Sequence, residues 1–321
     1  MNVQENMLKS LIKQIDLNNQ INYCILMSNI ICNSNINPND KQIMLLLLQN
    51  RDKNYIRINH NDRVYENIKA YLNLLRPLKI PLNKLIRIGG DGDGGYVMYD
   101  ALIVADYMSG GGGISDAKAL SLGVSNYSPW DLEMAKMGFK VIQYDGSIAK
   151  SPDEHHNITF YKKFIGLSDD EIYVTLETAI RQNEFKIDEN NIMQCDIEGS
   201  EYEMLENADM ENLSKYFTQV IFEFHGLNPE ENQEVQRRTK IMQKLNQYYV
   251  PIHIHFNNHG KIFYSKNLFF STTIEVSYLR RDRAEQYKIY RTSAGNLKNL
   301  DYPTFTSNPD IPVSFDFIKG K

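Results

Sequence analysis

The sequence predicts an α/β fold: a mostly parallel sheet with an antiparallel edge strand, preceded by a helical N-terminal segment. Three observations predict it. Apolar residues recur at helical spacing in the first 80 residues. From about residue 85, short β-branched runs alternate with helical patterns, and glycine turns join strand ends to the helices that follow. Such alternation places helices on both faces of a parallel sheet.

The chain is long enough, at 321 residues, for one α/β domain with an added segment. Residues 1–80 are the added segment. There Leu8, Leu11, Ile12 and Ile15 keep a helical period, and a further helix over about Asp62 to Leu75 stops at Arg76-Pro77. Residues 81–321 form the main domain. It opens with the glycine-dense run Gly89 to Gly95, followed by a second cluster, Gly110 to Gly113. The spacing then predicts strands over 119–124, 140–144, 158–164, 192–196, 219–224, 250–256 and 268–276, and helices over 129–137, 174–182, 201–205 and 229–247. An antiparallel strand fits among the last two runs.

Composition excludes several classes. The chain is 42% hydrophobic and 23% charged, which is ordinary for a globular protein and not for a disordered one. A net charge of -5, with basic pairs only at Arg237-Arg238 and Arg280-Arg281, leaves no footprint for a phosphate backbone, so no nucleic-acid partner is expected. Cys24, Cys32 and Cys195 show no CxxC spacing, which fits a reducing compartment. The start lacks a basic region leading into an apolar core, and the run Ile43 to Leu48 is too short to span a bilayer. The expectation is a cytoplasmic protein with no membrane span.

The first chemical signal is the strand that ends at Gly123 and passes through Ser125 and Asn126 to Ser128-Pro129, a capping residue before proline at the first helical position. Such a turn presents backbone N–H groups to a ligand. Asp145 ends the next strand at a spacing from Gly123 close to that at which an acidic residue reaches a ribose hydroxyl. Both features suit a nucleoside-bearing cofactor. The G-x-G-x-x-G pattern is absent, and the alternative is a plain turn and a solvated strand end. The Asp91-Gly92-Asp93-Gly94 turn lacks the calcium-loop pattern; its amides, around Asp93 and Gly94, are placed to close over a cofactor.

The second signal is acidic. Asp196, Glu198 and Glu201 cluster around Gly199 at a strand end, where ligands of open α/β sheets lie. Period two puts Glu223 and His225 on one strand face, and His253 and His255 on one face of the next. Convergence of Asp196, Glu223, His225 and His253 would give oxygen and nitrogen ligands for a divalent cation, Mg²⁺, Mn²⁺ or Fe²⁺. Asp196, His225 and His255 are the candidate catalytic groups, either histidine serving as general base. The alternatives are carboxylates that favour a helix N-terminus and histidines satisfied within the core.

Taken together, Gly89-Gly90-Asp91-Gly92-Asp93-Gly94-Gly95, Gly123-Val124-Ser125-Asn126, Gln143-Tyr144-Asp145, Asp196-Ile197-Glu198-Gly199-Ser200-Glu201 and Glu223-Phe224-His225-Gly226-Leu227 resemble a bacterial branch of FkbM-like S-adenosylmethionine-dependent methyltransferases. The D-x-E-G-x-E segment is the most specific element, and the likeness covers about residues 85 to 280. It implies a Rossmann-like class I methyltransferase fold, with residues 81–321 as the S-adenosylmethionine-binding domain. Gly123, Ser125 and Asn126 would hold the methionine part, Asp145 the ribose, and Asp196 would sit nearest the reacting centre. Several such proteins modify sugars of capsules and related surface polymers, so the resemblance implies O-methylation of a sugar or sugar-linked acceptor. The chain departs from the usual first motif, with Leu122 and Val124 in place of an acid and a glycine, and the Asp93-Gly94 loop is the candidate to make up that lack.

Two rivals come from the same residues. Gly123 and Asp145 alone fit an NAD-dependent sugar-modifying oxidoreductase. A non-catalytic binding module could keep the same fold, and the N-terminal helices are the candidate surface for a homo-oligomer.

Overall fold

The computed structural model describes residues 3–36, 41, 44–45, 48, 56–100, 117–187, 189–292, 295–308 and 310–318. The expected glycine cluster Gly110 to Gly113 lies outside them. The chain forms two compact units, Met1–Arg57 and Ile58–Lys321. The first holds the long helix α1 (Val3–Cys32), along which Leu8, Ile12, Ile15 and Ile25 are exposed. Among the described residues, no helix is long and apolar enough to cross a membrane.

After the short strand β1 (Ile56–Ile58) comes α2 (Asp62–Leu75), which turns Val64, Ile68, Tyr71, Leu72 and Leu75 inward. The Asn61 side chain accepts from the Arg63 N–H at 2.9 Å and so caps its start. Pro77 follows two residues past its end, where the ring bars the helical conformation of its predecessor, Arg76. Its buried face packs on α7 (Asn232–Leu245).

The main sheet has seven strands: β4 (Lys118–Leu122), β5 (Lys140–Tyr144), β6 (Ile158–Tyr161), β9 (Asn191–Cys195), β10 (Phe217–Phe224), β11 (Tyr249–Phe256) and β14 (Ile274–Arg280). Their order is β11-β14-β10-β9-β4-β5-β6. β4, β5, β6, β9 and β10 pair in parallel, while β14 runs antiparallel to both its neighbours. The fold is therefore the expected α/β arrangement around a mostly parallel sheet. Its antiparallel strand lies one place in from the edge, and β11 takes the edge itself.

Strand β10 shows why the sheet is central: all eight residues are buried, including Phe217, Phe222 and Phe224. Each such ring contributes about 2–3 kcal/mol over an exposed one. Helix α3 (Pro129–Lys136) covers one face through Trp130 and Met134, which join Ile88, Met98, Phe139, Val141 and Ile221. Trp130 is a packing anchor here, buried with its Nε1 against Met98 Sδ. The hairpin β2 (Leu85–Ile88) and β3 (Tyr96–Tyr99) lies against β10, β11 and β14. Gln219 fastens it, accepting from Tyr99 N at 2.9 Å and donating to Tyr99 O at 3.1 Å.

Two runs differ from their patterns: the strand expected over 158–164 ends at Tyr161, and Phe164 begins a short strand paired outside the main sheet. The strand expected over 268–276 is two strands, because β13 (Leu268–Ser271) pairs with β12 (Ile262–Ser265) and only β14 enters the main sheet. The polar pair Thr272-Thr273 marks the change, and Ser271 there bonds Asn257 O and Thr273 N with its hydroxyl, so the backbone leaves one ladder without losing its partners. The tight turn between β12 and β13, Lys266-Asn267, takes φ of 45° and 72°, the hand that matches strand twist.

Candidate functional site

The carboxyl ends of β4, β5, β9 and β10 meet at one edge of the sheet. At the end of β4 the chain turns at Gly123, whose φ is 79°. A Cβ there would stand 1.7 Å from the carbonyl oxygen of Asp196, so the turn lies directly against the end of β9 and admits no side chain.

Asp145 at the end of β5 holds that turn. Its Oδ2 accepts from Val124 N at 2.9 Å and Ser125 N at 2.8 Å, and its Oδ1 accepts from Ser147 N at 2.7 Å and Ser147 Oγ at 2.6 Å. A carboxylate offers about four acceptor positions, and all are in use. Burial raises its pKa, but the bonds from Ser147, Ser125 and Val124 outweigh burial and hold the carboxyl below its ordinary range. The side chains of Ser125 and Asn126 are exposed, and the backbone N–H groups of Gly123, Val124 and Ser125 are taken by Tyr144 O and Asp145 Oδ2, so the turn does not present these amides to a ligand as its sequence led one to expect.

Between these ends lies a cleft of about 270 Å³. Gly123, Asp145 and Ser147 form one wall, Phe164 and Tyr173 another, and Asp196 and Glu198 close it. The two rings belong to a short parallel pair, β7 (Phe164–Ile165) and β8 (Tyr173–Val174), stand 5.9 Å apart, and are 41% and 42% exposed. Sequence patterns missed both, as well as Ser147, because two-residue strands carry no period.

The acidic loop after β9 is built around Glu201, the first residue of α5 (Glu201–Asn207). Glu201 is fully buried, and its Oε1 accepts from Ile197 N and Gly199 N, both at 3.1 Å. Those bonds fold the loop back over the start of its own helix, with Glu198 at φ 55° and Gly199 at φ 102°. The same oxygen lies 3.0 Å from His225 Nδ1. His225 Nε2 then faces Asp196 Oδ1 and Glu198 Oε2, each at 3.6 Å, and Glu223 Oε1 at 3.8 Å. Burial pushes Asp196 up to about 7, against the pull of His225. Burial and the neighbouring Asp196 and Glu275 hold Glu223 far above its ordinary range. Burial lowers the His225 pKa, but its carboxylate neighbours, Glu201 first, raise it overall.

Beyond this cluster the carboxylates continue along the edge. Glu223 accepts from Asn257 Nδ2 at 2.7 Å and Tyr96 OH at 3.3 Å, and it pairs across strands with Glu275. Asp93 stands at the rim, its pKa raised by partial burial and by Glu275. Gly94 beside it turns at φ 72° against Pro129.

His253 and His255 do not join Asp196 and His225. His253 Nε2 bonds Asp301 Oδ1 at 2.7 Å. His255 lies between Glu275 Oε2 at 3.2 Å and Asp310 Oδ1 at 3.0 Å. Period two placed both rings correctly on one strand face, but the C-terminal segment supplies a carboxylate to each. With both nitrogens facing carboxylates, His255 is raised to about 10, stays an imidazolium, and has no lone pair with which to take a proton. His253 is likewise spent on Asp301 and is not within reach of a cation at Asp196. The structure thus brings together Asp196, Glu198, Glu201, Glu223 and His225, and gives the two later histidines a structural task.

Comparison with known proteins follows from this geometry. The family pattern described as methyltransferase FkbM domain matches residues 31–250. No curated protein matches the chain. Among solved structures, one titled as the crystal structure of a fibrillarin/Nop5p complex is similar at 10% identity and a TM-score of 0.32, covering 64% of this chain and 98% of that chain.

Proposed function

The chain belongs to the FkbM methyltransferase domain family, and from that premise we propose that it transfers the methyl group of S-adenosylmethionine to a hydroxyl of a sugar or sugar-linked acceptor. The observation that carries this reading is that the Gly123–Asp145 cleft and the His225 cluster share Asp196. A ligand in the cleft therefore has its inner end beside a group able to accept a proton.

The lining of the cleft supports the reading of it as the cofactor site. Phe164 and Tyr173 offer ring faces to a flat base, Ser147 and Asp145 offer polar partners to a ribose, and Gly123 lines the cleft beside them. Because the acceptor sites of Asp145 are filled, Ser147 is the better ribose partner, and Asp145 acts by keeping the turn in shape. The Asp93-Gly94 loop borders the acceptor side. S-adenosylmethionine supplies an already activated methyl group, so the residues of this chain have to align the acceptor oxygen and relieve it of its proton. Asp196 and His225 are placed for that, with His225 oriented by Glu201.

The row Asp93, Glu223 and Glu275, with Asn257 and Tyr96 among them, is rich in hydrogen-bond acceptors, which supports a polyhydroxylated acceptor. The sequence resemblance supports a role in capsule or surface-polysaccharide synthesis in the cytoplasm. The exposed apolar side chains of α1 support self-association through that helix. Family membership favours this methyl donor over NAD.

Isothermal titration of the purified chain with S-adenosylmethionine, S-adenosylhomocysteine and NAD tests the reading. Micromolar binding of the first two is expected; binding of NAD alone would overturn it.

A further inference from the structure

We propose that Asp196, Glu198 and His225 form a binding site for a hard divalent cation of the Mg²⁺ and Mn²⁺ class. Its use in catalysis rests on the methyl-transfer reading above, whereas its existence does not.

The distances point to shared ligation. Asp196 Oδ1 and Glu198 Oε2 each stand 3.6 Å from His225 Nε2, and one ligand atom from each residue lies within 4.8 Å of the others. That is too long for a nitrogen-to-oxygen hydrogen bond. Ligands held ~2.1–2.2 Å from one ion stand about 3.0–3.6 Å apart, so the spacing suits co-ligands of a cation.

On the far side of the ring Glu201 Oε1 stands 3.0 Å from Nδ1 and fixes its orientation, so that Nε2 faces Asp196, Glu198 and, at 3.8 Å, Glu223.

An independent observation concerns Asp196 Oδ1, the atom aimed at this point. It is sealed from solvent and accepts no hydrogen bond. Buried acceptors are rarely left so unless something else takes their lone pair. Among the described residues, no lysine or arginine makes an ion pair with Asp196, Glu198, Glu201 or Glu223. Glu198 reaches in from the surface, 85% exposed, so the remaining coordination positions open toward solvent and the cleft. An acceptor hydroxyl in one of those positions would ionise more easily beside the cation.

The test is a titration of Mn²⁺ alone into the chelator-treated full chain, read by calorimetry and by the loss of the free-ion electron paramagnetic resonance signal. One saturable site per chain is expected. Glu198→Gln, an exposed change that leaves folding intact, is expected to weaken Mn²⁺ at least tenfold, and His225→Ala to abolish its binding. The absence of saturable Mn²⁺ binding, or binding unchanged in Glu198→Gln, overturns the proposal even if His225→Ala fails to fold. A parallel titration with S-adenosylhomocysteine separates the two readings. Binding of the nucleoside without Mn²⁺ defeats the cation site and leaves the methyltransferase reading standing; Mn²⁺ binding without the nucleoside does the reverse.

Discussion

Glu201 Oε1 lies 3.0 Å from His225 Nδ1 while also receiving the N–H groups of Ile197 and Gly199. One buried carboxylate therefore sets both the shape of the acidic loop and the aim of the ring. Glu201→Gln keeps an oxygen for the two amides but loses the charge that holds the imidazole. Turnover is expected to fall about ten- to a hundredfold, the range for losing an orienting carboxylate. S-adenosylhomocysteine affinity should stay near wild type in the same protein, and a parallel loss of that affinity would show that the loop itself had collapsed.

Gly123→Ala probes the turn. The left-handed φ costs alanine about 1 kcal/mol, and the Cβ would also overlap the Asp196 carbonyl at 1.7 Å. A lower midpoint of thermal unfolding is expected, together with at least tenfold weaker S-adenosylhomocysteine binding. Wild-type affinity by calorimetry would count against the cleft as the cofactor site.

Phe164→Ala and Tyr173→Ala test its aromatic wall. Both rings are partly exposed, so their loss should disturb stability little. Stacking on a base is worth about 1–3 kcal/mol, and each variant is expected to weaken S-adenosylhomocysteine by about five- to a hundredfold. Equal affinity in both variants would place the base elsewhere.

The two buried histidines predict how stability follows pH. Burial lowers the His255 pKa, and Glu275 and Asp310 more than reverse that, to about 10. Its folded value exceeds the unfolded one, so its contribution is complete below about pH 6.5 and fades as pH rises through 10. For Asp301, burial raises the pKa and His253 more than reverses it, to about 2. That contribution is complete above about pH 4 and fades as pH falls toward 2. Denaturant unfolding from pH 3 to 10 should show His255→Gln destabilised by about 3–5 kcal/mol at neutral pH, as for a broken buried pair, with a smaller loss above pH 9. A constant difference across that range would contradict the ion pairs.

Much of this was legible in the sequence because period and punctuation carry it. The runs at 119–124, 140–144, 192–196 and 219–224 became β4, β5, β9 and β10, and Gly123 and Asp145 fell at strand ends as their positions required. Asp196 and His225 were legible for the same reason, since parallel neighbours bring their carboxyl ends together. What failed depended on contacts far along the chain. Asp301 and Asp310 lie 48 and 55 residues beyond the histidines they hold, in a segment with no period to announce it. The ring wall of Phe164 and Tyr173 sits on strands too short to show alternation. Glu201 had the form of a residue suited to a helix start, which it is, and nothing in its spacing disclosed its second task.

The reversed direction of β14 has a consequence for how this edge can be altered. Parallel strands deliver their last residues to the edge that holds Asp196 and His225, whereas β14 delivers its first, so Glu275 arrives there directly from the β12–β13 hairpin. The Gly123 and Asp145 turns belong to strands on the other half of the sheet. Insertions or replacements in that hairpin can therefore reshape the Glu275 side of the edge without touching the Gly123 and Asp145 turns.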